Sequence, residues 1–158
     1  MTPAPMSSPT PGPNPAPNPV ATHATLLPHA VPPCANARLA LFAMRRMGAR
    51  GLSDAPATHA MITGFGESFR RPLVLMRAFM ADLASAAQCP ISIAPCCCGR
   101  MTPAESILLT VLARTETAPE TAHLLLADLL GLRHADGVLA SATAVTQAFA
   151  DAGRPIAA

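Results

Sequence analysis

The chain has 158 residues, 51% of them hydrophobic but only 13% charged and 3% aromatic. It is therefore long and apolar enough for one packed domain, with a core of Leu, Met, Val and Ala rather than aromatic rings. All of its basic side chains are Arg, and a net charge of +2 supplies no global field that would concentrate it on nucleic acid or an acidic membrane. Five cysteines, an odd number with three consecutive, argue against a secreted disulfide framework. No basic residue precedes Arg38 and no apolar signal region is visible, so the expected compartment is the reducing cytoplasm, without a membrane span.

Residues 1–33 hold 11 of the 18 prolines, and residues 10–20 come close to alternating Pro with Gly, Asn, Thr and Ala. Proline fixes φ and removes an amide donor, so residues 1–25 are expected to be a disordered Pro-rich tail, followed by a single helical domain over 26–155. From Asn36 the periodicity is helical. Asn36 can cap a helix to about Arg50 in which Ala40, Leu41, Met44, Met47 and Gly48 share one face, while Arg38, Arg45, Arg46 and Arg50 share the other. Ser53 or Asp54 followed by Pro56 opens a short helix that Gly64-Phe65-Gly66 ends. The longest helix is expected from Glu67 or Ser68 to about Ala87, with Leu73, Met76, Met80, Leu83 and Ala87 inward and Glu67 supporting Arg71 four residues on. Residues 90–95, with Ile91 and Ile93, read as one short extended segment, which alone cannot make a sheet.

Two capping boxes are expected in the second half, Thr102 with Glu105 and Thr117 with Glu120, each containing a proline near the helix start. The helix after the first is apolar nearly all round and reads as the central one. The helix after the second buries Ala122, Leu125, Leu126, Leu129 and Leu130 and stops at Gly131, and a last helix runs from about Gly137 to Asp151. The fold class is all-α: a compact bundle of about five or six helices behind the tail.

Asn36-Ala37-Arg38-Leu39 leading to Arg45-Arg46-Met47, then Phe69-Arg70-Arg71-Pro72-Leu73, then Pro95-Cys96-Cys97-Cys98 resemble a family of small uncharacterised bacterial proteins, a domain of unknown function. The resemblance spans residues 26–155 and implies a shared helical fold, with no activity, substrate or catalytic residue attached.

The strongest chemical signal is the cysteine group Cys89, Cys96, Cys97 and Cys98, which could hold a soft metal ion or act as a thiol redox site. Its spacing is incomplete. Structural zinc sites use pairs of Cys separated by two to four residues, and adjacent side chains point apart. Cys97-Cys98-Gly99 is similar to a signature of iron-sulfur and disulfide-reducing subunits, and Cys89-Pro90 to a haem-sensing dipeptide, yet the further cysteines of the former are missing and the latter is too short to be specific. The plainer reading is a tight loop in which free Cys serves as a small hydrophobe, and no cofactor is expected.

A second candidate is an anion site at Gly64, Gly66, Arg70 and Arg71, where glycines precede a helix N-terminus flanked by two guanidinium groups. With no third glycine and no preceding strand, a helix-helix turn with solvated Arg explains the same residues. His29, His59, His123 and His134 read as ordinary residues. Residues 101–113 look like the opening of a response-regulator helix-turn-helix. However, residues 101–158 hold three Arg against six acids, and the would-be recognition helix from Val138 to Phe149 carries no charge, so DNA binding is disfavoured. Residues 36–100 hold eight Arg against three acids, a net +5.

Two function classes follow. The first is a non-catalytic interaction or regulatory module whose Arg-rich front half meets an acidic protein or other anionic partner; the second is a metal or thiol protein using the 89–98 loop. The oligomeric state is not legible. Because a proline-alternating segment buries almost nothing, deleting residues 1–24 should leave the circular-dichroism helix signal and Tm nearly unchanged. A loss of cooperative melting would make the tail part of the core.

Overall fold

A computed structural model describes residues 27–157 of the chain, and the tail expected over 1–25 lies outside the described residues. In chain order these residues form β1 (His29–Ala30), α1 (Ala35–Arg50), α2 (Ala55–Phe65), a 3-10 turn (Gly66–Phe69), α3 (Arg70–Ala86), β2 (Arg100–Met101), α4 (Pro103–Arg114), α5 (Pro119–Leu130) and α6 (Asp136–Asp151). The fold is all-α, with six α-helices and one minimal antiparallel pairing of β1 with β2, in which His29 faces Met101 and Ala30 faces Arg100. None of the described helices is long and apolar enough to cross a membrane.

The local punctuation works where a side chain can reach its own backbone. Thr102 Oγ1 accepts from the Glu105 amide at 3.1 Å and Glu105 Oε2 accepts from the Thr102 amide at 2.9 Å, a complete capping box. Asp54 accepts from the Ala57 amide at 2.8 Å and caps α2. Gly131 ends α5 in the left-handed region at φ +69°.

Elsewhere the expectations shift. The N-cap of α1 is Cys34 and not Asn36, which lies inside the helix and donates Nδ2 to the Pro155 carbonyl at 2.9 Å. The box at Thr117 does not form. The Ala118 amide continues the preceding turn by donating to the Arg114 carbonyl at 2.9 Å, so α5 starts one residue later with Pro119 at its first position. Residues 66–69 take 3-10 geometry, which removes Glu67 from helical register with Arg71; Arg71 pairs with Asp151 instead. Residues 90–95 are irregular and pair with no strand. There the Ser92 carbonyl accepts from Thr102 Oγ1 and the Ala94 amide donates to Glu105, so side chains at the start of α4 satisfy the backbone that a neighbouring strand would have satisfied.

Leu108, Leu109, Val111 and Leu112 of α4 are buried in one core cluster with Met44 and Met47 of α1, Leu73, Met76, Phe79, Met80 and Leu83 of α3, Leu126 and Leu130 of α5, and Val145 and Phe149 of α6; α4 packs most extensively on α5, and α3 on α6. Ala87, expected in the α3 stripe, lies past the helix end and is half-buried. Phe65 and Phe149 meet edge to face, ring centroids 4.7 Å apart. Methionine fills the seams between helices that lack aromatic bulk.

Leu108→Ala or Leu112→Ala should cost about 2 to 5 kcal/mol in denaturant unfolding, because each deletes buried carbons and leaves a cavity. Leu124, 68% exposed on α5, should tolerate the same change within about 0.5 kcal/mol. Equal losses at all three would remove α4 from the centre of the core.

Candidate functional site

The largest departure from the sequence reading is Arg45. Helical spacing grouped it with Arg38, Arg46 and Arg50 on a solvated face, yet it is only 4% exposed and meets Glu105, itself 1% exposed. The pair is bidentate: Arg45 Nε donates to Oε1 at 2.7 Å and Nη2 to Oε2 at 3.0 Å. Nη1 donates to the Cys98 carbonyl at 2.8 Å and Nη2 also to the Arg100 carbonyl at 2.7 Å. The carboxylate takes two further bonds, from the Ala94 and Thr102 amides. The Glu105 hydrogen bond raises the Arg45 guanidinium further above its usual range, against the opposing effect of burial. Among the described residues no buried side-chain N or O atom lacks a partner.

The cysteine loop is thus held by its backbone. Cys89 and Cys97 are exposed, Cys96 and Cys98 are half-buried, and all are free thiols. None of the four joins the core cluster, so the packed-hydrophobe reading does not describe them; Cys34, by contrast, packs partly against the core. Among the described residues, no three ligating side chains that include a loop cysteine come together as a ligand set. Partial burial pushes the Cys98 thiol up, with Cys97 adding to it, the opposite of what activates a nucleophile. Cys89 does sit on the rim of a cavity of about 420 Å³ bounded by Met80, Leu83, Ile91, Ile93 and Leu108.

At the expected anion site, Gly64 lies inside α2 rather than in a loop, where a Cβ would come within 2.5 Å of Leu39 Cδ2, so its role is close approach of α1 and α2. Gly66 takes φ +55° where α2 ends. Phe69 is already helical as α3 begins, so the 3-10 turn runs directly into α3 and no side chain caps a separate N-terminus at Arg70. Arg71 Nη1 donates to Asp151 Oδ2 at 2.6 Å, so α6 supplies a carboxylate where an external anion was expected.

Other front-half Arg side chains are also engaged. Arg46 grips Asp54 through Nε at 3.0 Å and Nη2 at 2.7 Å, and this contact holds the Asp54 carboxyl below the usual carboxylate range. Arg77 donates to the Leu52 carbonyl and to Thr58 Oγ1, both at 2.9 Å. Arg38 binds the Pro33 carbonyl and Arg100 the Leu27 and Pro28 carbonyls.

One group was passed over in the sequence. His123 on α5, His134 in the following loop and Asp136 at the start of α6 each place a donor atom within 4.8 Å of the others. The available signal was a His one turn after Glu120, followed past a helix-ending glycine by His-x-Asp.

Removing either member of the buried pair leaves the other charge stranded. Arg45→Ala and Glu105→Ala should each cost about 3 to 5 kcal/mol in chemical denaturation. Arg71→Ala, which breaks a pair whose side chains are 62% and 60% exposed, should cost no more than about 1 kcal/mol. Similar small losses at all three positions would show that Arg45 and Glu105 are not buried together.

Neither the curated proteins nor the solved structures contain a match to this chain. A family model described as a family of unknown function (DUF6628) matches residues 20–146, most of the chain, and takes in α1 to α5 and most of α6. The chain belongs to this family of unknown function.

Proposed function

We propose that the protein is a non-catalytic interaction module that meets an acidic partner in the cytoplasm, and that the contact is made at the turn between α1 and α2. The observation that carries this reading is the convergence there of two guanidinium groups, Arg46 and Arg50, on the Asp54 carboxylate, with a third, Arg77, held on a carbonyl of the same turn. Arg46 binds Asp54, Arg77 binds the Leu52 carbonyl, and Arg50 is exposed and close enough to lower the Asp54 carboxyl further. Among the described residues Arg50 has no ion-pair partner, and Leu52 is exposed in the same turn. Arg side chains ringing an exposed apolar residue combine electrostatic steering with burial on contact. The local excess of positive charge is part of what survives of the broader asymmetry, since Arg45 and Arg71 are matched by back-half acids.

A poly-glutamate peptide should bind the full chain in fluorescence anisotropy, weaken steadily with added salt, and lose several-fold affinity with Arg50→Glu. Equal affinity for wild type and Arg50→Glu, or no salt dependence, would overturn the reading. The alternative, a soft-metal or thiol role for the 89–98 loop, draws support from the exposed Cys89 thiol beside the 420 Å³ cavity. Selective alkylation of Cys89, blocked by an apolar ligand, would favour it.

A further inference from the structure

The turn between α5 and α6 places three metal-ligating side chains around one point. Gly131 reverses the chain, the Leu132 amide returns to the Ala127 carbonyl at 2.9 Å, and four residues later α6 begins at Asp136. Across this turn the Ala135 amide donates to His123 Nε2 at 3.1 Å, and Asp136 Oδ1 lies 3.5 Å from the same nitrogen. The His134 ring completes the group, its centroid 6.4 Å from that of His123. Every pair of donor atoms lies within 4.8 Å, and this is the one such group of His, Cys, Asp and Glu among the described residues.

We propose that His123, His134 and Asp136 bind a single divalent cation of the zinc or cobalt class. Two imidazoles and one carboxylate suit a borderline cation: calcium and magnesium prefer oxygen donors throughout, and monovalent copper prefers sulfur. Zinc bonds of about 2.0 to 2.2 Å place neighbouring donors roughly 3.3 Å apart, so the three donors must draw in by no more than about 1.5 Å. His134 and Asp136 are exposed and can do so by side-chain rotation alone. An amide donating to His123 Nε2 requires a lone pair there, which is the tautomer a metal needs; loading exchanges the Ala135 N–H for the cation. Three protein donors leave a position open, and a groove of about 440 Å³ lined by Pro119, Glu120, Leu124 and Leu139 adjoins His123 and Asp136. Water or a small ligand can complete the coordination from that side.

The proposal does not depend on the acidic-partner reading, and its test is independent. The full chain, stripped with a chelator under reducing conditions, is titrated with Co²⁺ by absorption and with Zn²⁺ by calorimetry. The expected result is one ion per chain, a cobalt spectrum without a thiolate charge-transfer band, and an Ala135 amide resonance that shifts on loading. His134→Ala and Asp136→Asn, both at exposed positions, should each weaken binding by at least about tenfold, the low end even for outer-shell partners of a metal site, while Cys97→Ser leaves it unchanged. Unchanged affinity in His134→Ala, a charge-transfer band that Cys97→Ser removes, or no saturable binding up to about 1 mM would each overturn it.

Discussion

The structure depends on one buried ion pair. Taking Arg45 and Glu105 out of water is costly, and the cost is offset because Arg45 makes four hydrogen bonds and Glu105 accepts four, two of them shared as the bidentate contact. The partners outside the pair are all backbone groups between residues 94 and 102. One guanidinium and one carboxylate therefore fasten residues 94–102, β2 included, onto α1 and α4. Replacing the pair with apolar residues would leave the Cys98 and Arg100 carbonyls and the Ala94 and Thr102 amides without these partners, so a hydrophobic substitute of equal volume does not reproduce its role.

This changes the meaning of the positive charge in the first half of the chain. Arg45, Arg46 and Arg71 are neutralised by carboxylates, while Arg38, Arg77 and Arg100 are anchored on carbonyls and keep their charge. What remains is a smaller excess of positive charge in the first half, carried by Arg38, Arg50, Arg70, Arg77 and Arg100. The same bonds join segments far apart in sequence: Arg45 to Glu105, Arg71 to Asp151, Arg100 to the chain before β1. Arg, with its several fixed donors, serves this role better than Lys would, and the chain contains no Lys.

Membership in a family of unknown function assigns no activity and leaves the chemistry to be read from the side chains. The cysteine loop, the most conspicuous chemistry in the sequence, is secured through its carbonyls while its thiols stay at or near the surface. The less conspicuous His123, His134 and Asp136 are the residues that converge.

The amino-acid sequence by itself determined the helices, because the forces that start and stop them act over three or four residues. The Thr102 and Glu105 box, the Asp54 cap and the Gly131 stop are contacts between near neighbours, and the apolar stripes of α3 and α4 follow from periodicity alone. It could not distinguish Arg45 from Arg46, adjacent residues of one type on one helix, because the difference is a carboxylate 60 residues away. Nor could it place the β1 and β2 pairing, the partner of Arg71, or the meeting of His123 with His134 and Asp136. Those depend on which helix faces become neighbours, and only the packing of the whole bundle decides that.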